Sequence, residues 1–392
     1  CTPDEDRVFK VGFTTPLQYK DGKLVLRHVS FNGPATWQAD ADIAVRFPDQ
    51  QKLPKGLSLP RFWNKKGNEI HYHDLYQPDW KISFDDPGLD TESSFEWEGS
   101  LYHLREATAS QQAWTSDRIV LDVNDKWSWG SYKQIYELLK EENLWVYTPE
   151  AVKLTEENYQ ALFHRLHKKS FSLLPLYKLG EDEKTLVISA ADGHGPLLSD
   201  LKPTIFASKL SSFFQKQHPQ IHWFSLSDEL PPYVKTLAEL DLLEVERGNW
   251  NQLKENLVGE YVKVLNETSS QKQIGIAGME VMRSEMSEAD KNEKYTAPDH
   301  LYRLFAYQEL MEGIGAGYFD KKKMEVAWTK TAESAYIVSP VSSLIVLEAQ
   351  KDYDRFDIKK NKNTVGNATI GKAIQNADGS VPEPHEWVLI VG

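Results

Sequence analysis

The stretch "DRIVLDVNDKWSWGSYKQIYELLKEE" (Asp117 to Glu142) joins a short apolar run to an amphipathic segment. Its first part, "DRIVLDV", has the length and composition of a strand that is buried on both faces. The second part repeats apolar residues with the spacing of one helical face, at Tyr132, Ile135, Tyr136 and Leu139. The pattern predicts a buried strand that is followed closely by an amphipathic helix.

The same alternation continues along the chain. A second helix is predicted to begin near Thr155, whose hydroxyl can cap it. Strands are predicted in "SFSLLPLYKL" (Ser170 to Leu179), in "KTLVISA" and over Ile221 to Ser227, with a helix over Ile205 to Phe214. Strands that alternate with helices indicate βαβ units and a mainly parallel sheet covered on both faces.

The fold class predicted for the chain is therefore α/β, with a Rossmann-like, doubly wound, mainly parallel sheet over residues 116–235. Residues 1–115 are β-rich, with short strand-like runs between turn signals. Residues 236–350 form a helical and β appendage, with helical spacing over Trp250 to Leu265 and again after Pro298, then a strand-like block. Residues 351–392 read as a polar tether.

Composition limits the classes of function. The chain has 392 residues and a formal net charge of -13, so the basic surface that nucleic acid requires is missing. Its one cysteine, Cys1, excludes an internal disulfide framework. A terminal cysteine fits a lipidated bacterial lipoprotein, but it also fits a cut inside a longer protein, and we favour the second interpretation.

Two polar loops follow predicted strands and are candidates for a metal site. Asp122 and Asn124 follow the first strand, and Asp192 follows "KTLVISA". In an open α/β sheet, ligands bind beyond the carboxyl ends of the strands, where both loops are expected. Carboxylate and amide oxygens suit Mg²⁺. The alternative is that these residues are only turn formers and helix caps.

These residues resemble the von Willebrand factor type A domain. Its metal-ion-dependent adhesion site begins with the pattern Asp-x-Ser-x-Ser, which the stretch "DVNDKWS" partly matches. Asp122 matches the first position, Asn124 stands at the first serine, Lys126 stands at the second, and Asp192 is similar to a later aspartate. Because an ammonium group cannot ligate a cation, the resemblance implies a degenerate site that contains Asp122, Asn124 and Asp192.

The resemblance extends to bacterial proteins that join a vault/inter-alpha-trypsin (VIT) domain to a type A domain. It rests on "FKVGFTTPLQYKDGKLVLRHVSFNGP" and on the segment Ser339 to Glu348, "SPVSSLIVLE". It implies that residues 1–115 are the end of a VIT domain or the linker from it. The chain would then be the C-terminal portion of a longer protein.

The C-terminal stretch "VPEPHEW" (Val381 to Trp387), followed by Val-Leu-Ile-Val, resembles the Pro-Glu-Pro sorting tail that an exosortase recognises. The motif residues are Pro382, Glu383 and Pro384, and the apolar end would be the start of a removed transmembrane helix. The resemblance implies an extracytoplasmic protein of the bacterial cell envelope, anchored in the membrane. The alternative is a proline-rich linker before an unrelated anchor.

Three functional hypotheses follow. The first is a non-enzymatic binding or scaffolding protein, whose partners are an exosortase and a protein ligand or the adjoining VIT domain. The second is a Mg²⁺-dependent phosphotransferase or hydrolase with Asp122 as nucleophile. Such an enzyme needs a second aspartate two residues further on as its acid and base, but Asn124 stands at that position and cannot exchange a proton. The third is a type A domain that has lost its metal because of Lys126.

Overall fold

The computed structural model of the chain describes residues 17–20, 22–27, 39–47, 53–77, 80–179, 183–216, 220–265, 268–274, 278–287, 297–320, 328–342 and 387–390. These residues belong to two compact units. The first is drawn from residues 1–106, 273–304 and 345–392, and the second from residues 107–272 and 305–344.

The segment predicted to be β-rich contains short, mostly antiparallel strands. They are β1 (Gln18–Lys20), β2 (Lys23–Arg27), β3 (Asp40–Arg46), β4 (Asn64–Lys66), β5 (Glu69–Leu75), β6 (Lys81–Asp85), β7 (Ser94–Trp97), β8 (Ser100–Glu106) and β9 (Ala109–Ala113). In the first unit, β1, β2 and β6 form one sheet, and β3, β5 and β4 belong to another. Buried aromatic rings pack between these elements, with Trp63 stacked on Tyr72 and tilted against Trp80.

The second unit holds the alternating elements. They are β10 (Arg118–Asp122), α1 (Trp129–Leu139), β11 (Leu144–Tyr147), β12 (Ala151–Lys153), α2 (Tyr159–Leu166), β13 (Thr185–Ser189), α3 (Leu198–Leu201), α4 (Ile205–Lys216), β14 (Ile221–Ser225), α5 (Pro232–Glu239), β15 (Glu244–Arg247), α6 (Trp250–Gly259) and β16 (Tyr261–Leu265). A 3-10 helix, Leu176–Lys178, precedes β13.

The remaining elements complete both units. They are β17 (Gln271–Gln273), β18 (Met279–Glu285), α7 (His300–Ile314), a 3-10 helix over Gly315–Phe319, α8 (Thr329–Ser334) and β19 (Trp387–Ile390). Strand β18 pairs antiparallel with β8, which also pairs with β7, and β16 pairs antiparallel with β9.

The central sheet of the second unit has the order β12-β11-β10-β13-β14-β15. All neighbours in it run parallel except the edge strand β12, which is antiparallel to β11. Every residue of β13 and β14 is buried, as expected for strands covered on both faces. The prediction of a mixed α/β protein with a mainly parallel sheet is confirmed, and the sheet continues beyond residue 235 to the end of β15.

Helices cover both faces of this sheet. Phe224 of β14 packs in one apolar cluster with residues of α1, α2 and α6. The neighbouring residue, Trp223, points to the opposite face and meets Tyr233 of α5 edge-on, with the ring centroids 6.5 Å apart. The four residues predicted to form the apolar face of α1 are all buried. Both layers therefore follow from the alternation of buried side chains along each strand.

Two predicted helix boundaries are wrong. Helix α2 begins at Tyr159, because Asn158 closes a turn before it: its side-chain oxygen accepts a hydrogen bond from Thr155 N at 2.9 Å. The helix predicted over Trp250 to Leu265 ends at Gly259, since Glu260 adopts the left-handed conformation that terminates helices. The residues after it form β16.

The strand predicted over Ser170 to Leu179 is also wrong. The segment is an irregular connection that ends in the 3-10 helix. Pro175 has no N–H for a strand ladder, and Leu174 N donates instead to the hydroxyl of Tyr233 at 3.0 Å. Leu174 and Leu176 are nevertheless buried. The apolar pattern therefore predicted the burial of this segment correctly but its secondary structure incorrectly.

The C-terminal predictions fall mostly outside the described residues. Pro382, Glu383 and Pro384 lie there, and so do residues 343–350 of the predicted strand-like block (Ser334 to Gln350). Residues 335–342 of that block form turns and one isolated bridge, so the strand prediction is wrong for them. The residues expected to start a transmembrane helix form β19, which runs parallel to β3. Among the helices that the structure describes, none has the length and apolar character required to cross a bilayer.

A comparison of two helical glycines tests the packing of the second unit. A Cβ added at Gly313 in α7 would lie 1.8 Å from Cζ2 of Trp328, whereas one at Gly130 in α1 would have its nearest neighbour, Ser128 Oγ, at 3.8 Å. We expect Gly313→Ala to lower the free energy of unfolding by about 1–3 kcal/mol through overpacking. Gly130→Ala should raise it by up to about 1 kcal/mol. Urea denaturation of both variants measures this, and equal effects would contradict the packing of Trp328 on α7.

Candidate functional site

The strand order creates one crevice at the carboxyl edge of the parallel sheet. From β10 the chain crosses to β11 on one side, while the other neighbour of β10 is β13. Connections that leave two adjacent strands in opposite directions open a crevice between them, where α/β proteins bind ligands. Asp122 and Ser189, the last residues of β10 and β13, are register partners at this point.

Asp122 is buried at the base of the crevice, with 6% of its surface exposed. Ser189 Oγ donates a hydrogen bond to its Oδ2 at 2.7 Å and accepts one from Ala191 N at 3.1 Å. The indole Nε1 of Trp127 donates to the Asp122 carbonyl at 2.7 Å. The side chain of Asp122 is thus held by strand β13. The loop after β10 is held to the end of β10 by the hydrogen bond from Trp127.

Burial dominates the electrostatics of this carboxyl. Loss of hydration raises the pKa of Asp122, and hydrogen bonds from Ser172 and Ser189 together with the charge of Lys169 only partly oppose that rise. Burial likewise lowers the pKa of Lys169, against the attraction of Asp122. The pKa of Tyr233 is raised by its burial and then by the nearby charge of Asp122. These groups form one coupled polar cluster under the crevice.

Asn124 serves the turn after β10. Its side-chain oxygen accepts a hydrogen bond from Lys126 N at 3.1 Å, and its carbonyl accepts one from Trp127 N at 3.2 Å. The Nδ1 atom of His167 lies 3.2 Å from the same carbonyl. Only 1% of the Asn124 surface is exposed, so this residue behaves as the turn former that the sequence offered as an alternative.

Lys126 reaches across the crevice to Asp192. Its Nζ lies 3.0 Å from Asp192 Oδ2, and His194 Nδ1 lies 2.8 Å from Asp192 Oδ1. Burial acts to raise the pKa of Asp192, but the hydrogen bonds from Lys126 and His194 prevail and lower it. The bond to Asp192 raises the pKa of Lys126. An ammonium group therefore occupies the position beside Asp192 where a cation was predicted.

The two predicted carboxylates share an edge of the sheet but have different partners, Ser189 for Asp122 and Lys126 for Asp192. Among the residues that the structure describes, no group of three or more His, Cys, Asp or Glu side chains is suited to hold a metal ion. Whether the set of Asp122, Asn124 and Asp192 binds a cation stays a prediction.

Sequence reasoning missed the residues that stabilise the charge of Asp122, which are the hydrogen-bond donors Ser172 and Ser189 and the cation Lys169, and it missed the neighbouring Tyr233. Ser189 carried a weak signal, because it ends the predicted strand "KTLVISA". Ser172 and Lys169 lie in or beside a segment whose strand prediction is wrong, so no spacing linked them to Asp122. Their positions depend on tertiary packing.

The fold and the site define a mixed α/β protein whose mainly parallel sheet carries a polar crevice at its topological switch point. Neither a scan against protein-family models nor a search of curated proteins found a match for this sequence. The family resemblance drawn from the motifs therefore stays a prediction.

The raised pKa of Asp122 gives a pH-dependent stability. The folded state holds the proton of this carboxyl more tightly than the unfolded state does, so stability falls as the pH rises from 3.8, the ordinary value, through the raised pKa. Asp122→Asn removes that penalty and keeps the shape of the side chain. We expect it to increase the free energy of unfolding at pH 7 by on the order of 1 kcal/mol, with the gain shrinking as the pH falls.

Denaturant unfolding of the parent and the variant from pH 8 down to pH 4 measures this difference. The matched control is Asp125→Asn, which removes the same charge from a side chain that is 40% exposed. It should change stability little and without this pH dependence. A loss of stability in Asp122→Asn at pH 7 would mean that the ionised carboxylate is stabilising, contrary to the burial argument.

Proposed function

We propose that the chain is a non-enzymatic binding or scaffolding module of type A-like architecture, in which the ammonium of Lys126 stands in for the metal ion. The observation that carries the proposal is the 3.0 Å contact between Lys126 Nζ and Asp192 Oδ2 at the switch point. The positive charge neutralises the aspartate as a cation would, yet an ammonium group, unlike a metal ion, has no open coordination position that could accept a lone pair from a ligand.

The architecture supports this proposal. A doubly wound, Rossmann-like type A domain needs a mainly parallel sheet with helices on both faces, and its site lies in the loops after the strands. Asp122 ends β10, Asn124 and Lys126 follow it, and Asp192 follows the adjacent strand β13. The sequence positions that resemble the adhesion site thus lie together at one edge of the sheet.

A phosphotransferase or hydrolase is the weaker candidate. A nucleophilic aspartate must meet its substrate, but Asp122 is 94% buried beneath its loop and its Oδ2 accepts from Ser189. The side chain two residues on is Asn124, whose oxygen holds the turn. Neither residue is arranged as an acid or base at a surface that a substrate can reach.

Metal titration tests the stand-in role of Lys126. We expect no saturable binding of Mg²⁺ or Mn²⁺ by the metal-stripped chain in isothermal calorimetry, because the ammonium repels a cation at Asp192. Lys126→Ser restores a hydroxyl at the position where the adhesion pattern has serine, and we expect weak, saturable binding to appear. A second substitution, Asp192→Asn, should abolish that binding.

Lys133→Ser is the control, because it removes an exposed lysine from α1 without touching the crevice. Saturable binding by the parent chain that is lost in Asp122→Ala would overturn the proposal of a metal-independent module. It would indicate a working adhesion-type site, for which a carboxylate-bearing protein is the expected ligand.

We further propose that the module acts in the bacterial cell envelope, outside the cytoplasm. In the full-length protein, a C-terminal helix would anchor it in the membrane, an exosortase would recognise the tail, and the adjoining VIT domain or a protein ligand would be its partner. The support is the sequence pattern of Pro382, Glu383 and Pro384, whose prolines keep a recognition motif extended and unable to join a helix.

Mass spectrometry of the full-length protein from the native membrane fraction tests this assignment. We expect a processed C terminus in the parent strain and an unprocessed one when the exosortase is deleted or when Pro382 and Pro384 are both replaced by alanine. The control replaces Pro231 and Pro232, which lie at the start of α5. The same C-terminal mass in all strains would refute recognition by an exosortase, without affecting the metal titration.

A further inference from the structure

A second cavity lies at the opposite edge of the same sheet, near the amino ends of β10, β13 and β14. Its volume is about 110 Å³, and it is bounded by α1 and α6 on one face of the sheet. Its lining includes apolar residues of the buried cluster, such as Leu139, Leu186 and Leu253. Trp114, His222 and Asn256 also line it.

These three polar side chains each have a buried atom without a hydrogen-bond partner in the described structure. The atoms are Trp114 Nε1, His222 Nε2 and Asn256 Oδ1. His222 is 2% exposed and Asn256 is 5% exposed, so bulk water does not solvate them freely. A buried polar group that lacks a partner costs about 1–3 kcal/mol, and such groups are uncommon in folded proteins. Trp114 Nε1 and Asn256 Oδ1 on one cavity indicate a missing partner for both, whereas His222 Nε2 has the carboxylate of Glu246 at 3.6 Å.

The orientation of Asn256 is fixed by its neighbours. Its Nδ2 donates to Glu246 Oε2 at 2.8 Å, which leaves its Oδ1 as an acceptor directed away from that carboxylate. Glu246 Oε2 also accepts a hydrogen bond from Lys263 N at 3.0 Å. His222 Nε2 lies 3.6 Å from the same oxygen, within ion-pairing distance when the imidazole is protonated. The buried carboxylate is thus satisfied without using Trp114 Nε1 or Asn256 Oδ1.

We infer that this cavity binds a small neutral molecule with a short apolar body and one hydroxyl or primary amide group. The indole N–H of Trp114 can only donate and Asn256 Oδ1 can only accept, so the ligand group must do both. His222 Nε2 can do either. The apolar walls suit a short branched aliphatic body smaller than benzene, since a cavity of ~150 Å³ holds benzene and this one has about 110 Å³.

A charged ligand is disfavoured at this site. Transferring an ammonium or carboxylate ion from water into the buried part of the cavity is costly unless a counter-charge pairs with it, and the two carboxylates of the lining, Glu142 and Glu260, are exposed to solvent. The buried carboxylate of Glu246 already has two hydrogen bonds from the protein. The neutral member of a series of equal size should therefore bind best.

The test is a titration of the intact chain with isobutyramide, isobutylammonium and isobutyrate, followed by the indole N–H signals in ¹⁵N-correlated NMR spectra. The signal of Trp114 is assigned as the one that disappears in Trp114→Phe. We expect a saturable shift of that signal with isobutyramide and none with the two ions. Trp114→Phe should weaken binding by roughly fivefold, which is the effect of one lost hydrogen bond.

Trp145→Phe is the matched control. It removes an indole N–H of β11 that already donates to Asn143 Oδ1 at 2.9 Å, so binding should be unchanged. Absence of a shift up to the solubility limit would overturn the inference and indicate a cavity that holds only water. Equal shifts with all three compounds, or unchanged affinity in Trp114→Phe, would also overturn it by showing unspecific association.

Discussion

The buried carboxyl group of Asp122 determines how the carboxyl edge of the central sheet is built. An anion that loses its hydration must be neutralised or paired, and here Ser172, Ser189 and Lys169 surround it. Ser189 belongs to the adjacent strand β13, and Lys169 and Ser172 belong to the connection before that strand. This connection therefore packs where it shields the carboxyl group. A well-packed apolar side chain would stabilise such a position more than a carboxyl does. The buried carboxyl is therefore a cost to stability that the surrounding groups reduce but do not remove.

Much of the fold could be predicted from local pattern. Strands β10, β13 and β14 have continuous apolar runs because both of their faces are buried, and α1 has its predicted stripe. The predictions from the apolar pattern were wrong where the backbone of a single residue prevented the predicted element. Pro175 prevents a strand in an apolar segment, and the left-handed conformation of Glu260 ends α6 inside a helical repeat.

The candidate site was predictable only in part. Adjacent parallel strands bring their carboxyl ends together, so the proximity of the Asp122 and Asp192 loops followed from the predicted order of elements. The identity of the stabilising groups did not, because Lys169 and Ser172 are distant from Asp122 in sequence and reach the site through tertiary packing. The role of Lys126 was partly predictable. Its position in the motif indicated that it would oppose a metal ion, whereas its contact with Asp192 is known only from the structure.

The two ends of the sheet differ in how completely the protein satisfies its own polar groups. At the carboxyl edge, Asp122 has hydrogen-bond donors and Asp192 has a lysine and a histidine, so the crevice is internally neutralised. Such a surface can contact another protein through its rim without requiring a ligand for its own stability. At the amino edge, Trp114 Nε1 and Asn256 Oδ1 are buried with no hydrogen-bond partner in the described structure. Since an unmet hydrogen bond costs more than an average one contributes, the need for a bound molecule is greater at the amino edge, although the motif resemblance directs attention to the other end.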